Sequence, residues 1–104
     1  MREICLARLD KTRPALVLTR DLARAAMTKV TIAPITSTVK GLSSEVALDA
    51  RNGLDHPCVA SLDNIVTIPV AALGRTIGYL SMEQEVALAR AMVLAFDLDI
   101  PLMG

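Results

Sequence analysis

A chain of 104 residues, 53% hydrophobic but only 2% aromatic and with no net formal charge, makes one small domain around an aliphatic core. No run of eighteen or more apolar residues occurs, which excludes a membrane-spanning helix. So much apolar content also exceeds what one small core absorbs, and a homodimer is the expected way to bury the surplus.

In chain order, Met1-Arg2-Glu3-Ile4-Cys5 carries an acid and too short an apolar run for a signal peptide. Cys5 and Cys58 lie far apart with no ligand or redox spacing, which suits a reduced, cytoplasmic protein. Ile4–Leu9 reads as a first strand. Lys11-Thr12-Arg13-Pro14 then leads into Ala15–Thr19, a continuous apolar run expected to be a buried strand with Arg13 at its mouth. Residues Asp21–Thr28 form a short helix or an ordered loop.

Val30–Thr36 is a β-branched strand in which Pro34 points to an edge or a bulge, and it runs out into Thr36-Ser37-Thr38-Val39-Lys40-Gly41. Glu45–Asp49 alternates polar and apolar, and Arg51-Asn52-Gly53 supplies a turn. Pro57–Leu62, Ile65–Ile68 and Arg75–Leu80 complete the strands, with Ser61-Leu62-Asp63-Asn64 as a polar break. Ser81 and Gln84 then have capping-box spacing. Val86, Ala89, Met92 or Val93, and Phe96 recur at helical spacing until Pro101 bars continuation. Many short strands and one terminal amphipathic helix predict a mainly β (α+β) fold: a small, strongly bent barrel closed by a helix.

The chain holds no phosphate loop, dinucleotide glycine pattern or nucleophile elbow. One His and two Cys without ligand spacing make no zinc site. His56 and Cys58 would share a strand face, but no third group orients the imidazole, so they read as a turn histidine and a buried strand cysteine.

Four polar clusters remain: Lys11–Pro14, Thr36–Gly41, Ser61–Asn64, and Arg20–Lys29 with Arg20, Arg24 and Lys29. Hydroxyls beside a Lys or Arg hydrogen-bond and neutralise phosphate, and Gly41 admits close backbone approach. Asn64 suits a base edge, Asp63 can take a proton or orient Arg13, and Arg20 can track a phosphate backbone. Lys11, Thr12, Ser37, Thr38, Lys40, Asn64 and Arg20 are therefore the candidate contacts to phosphates and bases. Taken singly, each cluster also reads as a turn, a cap or a solvated face. Residues 1–40 hold eight bases and three acids, and residues 41–104 hold three bases and eight acids. Either the fold keeps these apart as a basic face for a polyanion, or it interleaves them.

In order, RPALVLT, VTIAPITST, SLDNIVTIP and LGRTIGYLS resemble the MazF/PemK/Kid family of toxin endoribonucleases over nearly the whole chain. The resemblance implies a single toxin domain over 1–104: an SH3-like, CcdB-like barrel that is homodimeric. It cleaves single-stranded RNA at short sequences, without metal or other cofactor. The 2′-hydroxyl attacks its own phosphate, leaving a 2′,3′-cyclic phosphate and a 5′-hydroxyl. Arg13 takes the place of the arginine in proton transfer and charge stabilisation, Thr36 that of the threonine on the scissile phosphate, and Asp63 that of the proposed base. The implied partner is a MazE-like antitoxin whose acidic tail blocks the RNA groove.

Members usually carry a longer, glycine-containing loop between the first two strands, and often an arginine where Val66 stands. With few aromatics, bases are expected to be held by hydrogen bonds rather than stacking. Two other readings share the barrel: a nucleic-acid-binding module that does not cut, and a CcdB-like gyrase-inhibiting toxin. RPALVL and PITST favour the nuclease, because a gyrase poison needs no polar cluster at that strand mouth.

Overall fold

Among the described residues, turns separate seven strands and a helix: β1 (Glu3–Arg8), β2 (Thr12–Val17), β3 (Lys29–Thr36), β4 (Glu45–Leu48), β5 (Cys58–Ser61), β6 (Val66–Pro69), β7 (Leu73–Tyr79) and α1 (Met82–Ala95). The structure is a computed structural model and describes residues 2–20 and 25–98. Of the expected helix or loop Asp21–Thr28, the first four residues lie outside that range and residues 25–28 are a turn and bend.

All pairings are antiparallel, in the order β4-β5-β3-β2-β1-β7, with β6 also on β3. The eight-residue β3 is the hub. One edge lies along β2; the other pairs with β6 over Lys29–Ile32 and then with β5 over Ile35–Thr36. Pro34 falls in the gap between those two partners, where no strand needs its missing N–H. The expected edge or bulge is thus a change of neighbour within a central strand. The sheet curls into a half-barrel, with α1 against β4 and the short 3-10 turn Leu62–Asn64.

Ala15–Val17 is a continuous apolar run because both its faces are covered. Leu16 joins Ile4, Ala33, Ile35, Val46 and Leu88 in one core, while Ala15 and Val17 join Cys5, Val30, Ile32 and Ile68 in the other. The strand begins earlier than expected, at Thr12. Arg13 pairs with Ala7 and Pro14 with Leu6, so Arg13 stands within the strand rather than at its mouth. Proline's fixed φ suits extended backbone, so it did not delay the strand.

The helix begins as its capping box predicts: Ser81 Oγ accepts from Gln84 N at 3.1 Å, and Gln84 Oε1 accepts from Ser81 N at 2.9 Å. Its buried stripe differs from the expected one. Leu88 and Ala91 are buried, with Met92 and Ala95 packed against the same core, whereas Val86, Ala89 and Phe96 are exposed. Both stripes are apolar at helical spacing, so periodicity does not choose between them. Gln84 continues inward to buried Asn52, exchanging bonds of 2.7 and 2.9 Å; Asn52 also donates to Tyr79 O at 2.9 Å and accepts from Asp49 N at 3.1 Å. His56 is exposed, and the Cys58 thiol donates to its carbonyl at 3.3 Å rather than meeting the imidazole. Burial, aided by the Asp55 charge, pushes that thiol's pKa up.

Candidate active site

Strand register assembles the site. The β2–β3 ladder ends at Ala15 opposite Pro34, and two residues beyond it on each strand, on the same face, Arg13 and Thr36 line one cleft. On the other edge of β3, Thr36 pairs with Val59 and Ile35 with Ala60, which brings Ser61 beside Pro34; Ser61 in turn pairs with Glu45 of β4. Four neighbouring strands thus contribute one end each to a cleft of about 590 Å³. Its polar lining includes Arg13, Thr36, Thr38, Lys40, Asp63 and Asn64.

Each acid at the cleft has a definite partner. Asp10 receives the Arg13 Nε and Nη2 through two bonds of 3.0 Å, and this pairing holds the Asp10 carboxyl below its ordinary pKa. Asp63 accepts from buried Ser44 Oγ at 2.5 Å through Oδ2, and no donor among the described residues reaches its Oδ1. Glu45 accepts from the backbone N–H groups of Lys40, Gly41 and Leu42 at 3.2, 2.9 and 3.1 Å, folding that loop over the cleft. Gly41 adopts φ 76° there, a left-handed conformation that favours glycine. Thr36 Oγ1 accepts from Thr38 N at 3.1 Å, and Asn64 Nδ2 donates to Ser61 Oγ at 2.8 Å.

Six of the ten expected residues therefore meet: Arg13, Thr36 and Asp63, with Thr38, Lys40 and Asn64 beside them. The other four do not line the cleft. Thr12, next to Arg13 in an extended strand, faces the opposite way into a separate groove. Lys11 is exposed in the hairpin turn, Ser37 is exposed between Thr36 and Thr38, and Arg20 is exposed beyond β2. Arg13 is oriented by Asp10 rather than by Asp63, because a three-residue turn, closed by Leu9 N donating to Lys11 O at 3.0 Å, brings the two together. Asp10 and Glu45 carried no role in the sequence reading. An acid three residues before the arginine was the available signal for Asp10; Glu45 offered none, since its three partners are backbone groups of a loop.

A guanidinium, an ammonium, hydroxyls and a carboxylate oxygen without a donor converge on this β half-barrel, and these are groups that suit a phosphate ester. Residues 3–96 match the sequence profile of the PemK-like, MazF-like toxins of type II toxin–antitoxin systems, and the chain belongs to that family. It is 60% identical over 99 residues to endoribonuclease MazF3 of Mycobacterium tuberculosis, covering 95% of this chain and 96% of that one. The structure of the Mycobacterium tuberculosis toxin MazF-mt6 superposes with a TM-score of 0.93 at 58% identity, covering 95% of this chain and 100% of that one. A mycobacterial endoribonuclease solved with its cognate antitoxin shares the fold, with a TM-score of 0.84 at 21% identity and 95% of both chains covered.

Proposed function

We propose that this chain is the endoribonuclease toxin of a toxin–antitoxin pair, and that the Arg13–Thr36–Asp63 cleft is where it cuts single-stranded RNA at short sequences. Family membership and 60% identity to a named endoribonuclease support the activity. The observation that carries the site is the shared cleft: the β2–β3 ladder ends at Ala15 and Pro34, and just beyond it Arg13 and Thr36 line one cleft with Asp63.

In the reaction, Asp63 Oδ1 takes the proton of the ribose 2′-hydroxyl, and the 2′-oxygen bonds to the adjacent phosphorus. The Arg13 guanidinium and the Thr36 hydroxyl donate to the phosphorane oxygens as charge builds on them. The bond from phosphorus to the 5′-oxygen then breaks, and that oxygen takes a proton from solvent water and leaves as a 5′-hydroxyl, opposite a 2′,3′-cyclic phosphate. Asp63 returns its proton to solvent. A guanidinium is a poor acid near neutral pH, so Arg13 serves as charge stabiliser rather than proton donor. These steps call on no metal.

The partner is an antitoxin whose acidic segment competes for the cleft, and the working form is a homodimer in the cytoplasm, where the RNA is. No helix among the described residues is long and apolar enough to cross a membrane. The test is incubation of the purified protein with a long RNA in EDTA, followed by sequencing of the fragment ends. Recurring cuts with cyclic-phosphate ends, lost on Arg13→Ala and Thr36→Ala, are expected. No cleavage, or cleavage indifferent to both substitutions, overturns the reading; RNA binding without cutting, or inhibition of DNA supercoiling, would replace it.

A further inference from the structure

The cleft holds carboxylates of its own, so its bases Arg13 and Lys40 do not make it a strongly positive surface. Unopposed positive charge lies instead on the far side of the β1–β2 hairpin. There a groove of about 250 Å³ is lined by Arg8, Thr12 and Arg75, with the small residues Ala71, Ala72 and Gly74 forming part of its walls and no carboxylate in its lining. Arg2, Arg13 and Arg51 each hold an acid, to Glu85, Asp10 and Asp49. Among the described residues neither Arg8 nor Arg75 has such a partner. Arg8 Nη2 donates to Ala71 O at 3.4 Å, which lays its guanidinium along the groove and leaves its other donors for a ligand.

Position decides what that ligand is. Arg8 pairs with Thr12 in the register step next to Ala7 with Arg13, so groove and cleft are the two sides of one hairpin end. Lys11 is exposed in the turn between them. An RNA strand leaving the scissile phosphate at Arg13 passes Lys11 and reaches Arg8 and Arg75 within a few nucleotides.

We propose that this groove binds the backbone phosphates of the substrate RNA beside the cut, acting as a sequence-independent extension of the active site. It rests on the endoribonuclease reading, and arginines on β1 and β7 replace what a longer loop would supply by wrapping. Phosphate contacts of this kind set affinity and position while carrying no base information.

The test uses RNA with a 2′-deoxy nucleotide at the cut position, in two lengths: one spanning only the cut site and one extended on both sides. Affinities are read by fluorescence anisotropy across a salt series. With Arg8→Ala and Arg75→Ala combined, the long RNA is expected to bind on the order of tenfold more weakly. Its slope of log Kd against log salt falls by about 0.7 for each phosphate that the groove no longer holds, the short RNA keeps its affinity, and lysine at both positions retains the slope. Equal weakening for both lengths, or none for the long RNA while the wild type still cuts, overturns the groove alone. Weaker capture of an acidic antitoxin peptide with RNA affinity unchanged assigns the groove to the antitoxin and overturns the proposal too. A wild type that neither binds nor cuts RNA overturns the endoribonuclease reading, and this one with it.

Discussion

Asp10 and Arg13 face each other across the first hairpin turn through two parallel hydrogen bonds of 3.0 Å. This fork fixes the guanidinium plane and leaves Nη1 outside the pair. Because the Arg13 hydrogen bond depresses the Asp10 pKa, the pairing stabilises the fold above the ordinary carboxylate range, and its contribution disappears as pH falls through the lowered value. Arg13→Ala is expected to move the Asp10 titration, followed by carboxyl-carbon NMR, back up toward that range. An unmoved titration refutes the pairing. Asp10→Asn, which keeps the shape but weakens the fork, is expected to slow cleavage about tenfold, by letting the guanidinium wander.

Thr36 separates the hydroxyl's role from the side chain's bulk. Thr36→Val preserves the β-branched shape of a strand residue but removes the donor, and single-turnover cleavage is expected to drop on the order of 10²-fold. Thr36→Ser restores the hydroxyl and should recover most of the rate. A valine variant as fast as the wild type excludes contact with the phosphate.

For Asp63, the expectation is a loss on the order of 10²-fold in single-turnover cleavage by Asp63→Asn, with RNA affinity kept. An asparagine variant as fast as the wild type would assign the base to another group.

Asn52 is a stability determinant far from the chemistry. Its amide bonds Gln84, Tyr79 O and Asp49 N from a nearly fully buried position, tying the start of α1 to β7 and the 50–52 turn. Asn52→Ala strands these partners and is expected to cost about 3 kcal/mol in urea unfolding. A double-mutant cycle with Gln84→Ala should show coupling of about 1 kcal/mol.

The same junction admits no methyl group. A Cβ on Gly78 would stand 1.8 Å from Asn52 O, and one on Gly53 1.9 Å from Ile77 O, both backbone atoms that cannot step aside. Each alanine variant is expected to lose about 3 kcal/mol or more in thermal unfolding. Gly41→Ala meets nothing within 4 Å and bears only its positive φ, so about 1 kcal/mol is expected.

The strands were legible because their apolar and β-branched runs are separated by turn residues such as Asn52-Gly53. Pro14 and Pro34 misled, since a proline's effect depends on whether a neighbour needs its N–H, and that is a property of the sheet. The helix's inner face was ambiguous for the same kind of reason: only docking against β4 chooses between two apolar stripes. Arg13, Thr36 and Asp63 were each visible as polar residues at strand ends. Their convergence was not, because it follows from the Ala15–Pro34 register, and sequence resemblance stood in for that geometry. The opposite charges of the two halves interleave in part: Arg2 bonds Glu85 at 3.1 Å from the far end of the chain. Beyond the hairpin, Arg8 and Arg75, a base from each half, meet without an acid between them.

The cleft takes its walls from residues as early as Leu9 and as late as Asn64. A ribosome making this chain therefore holds a product without that cleft until more than half of it has been translated and β5 has closed against β3.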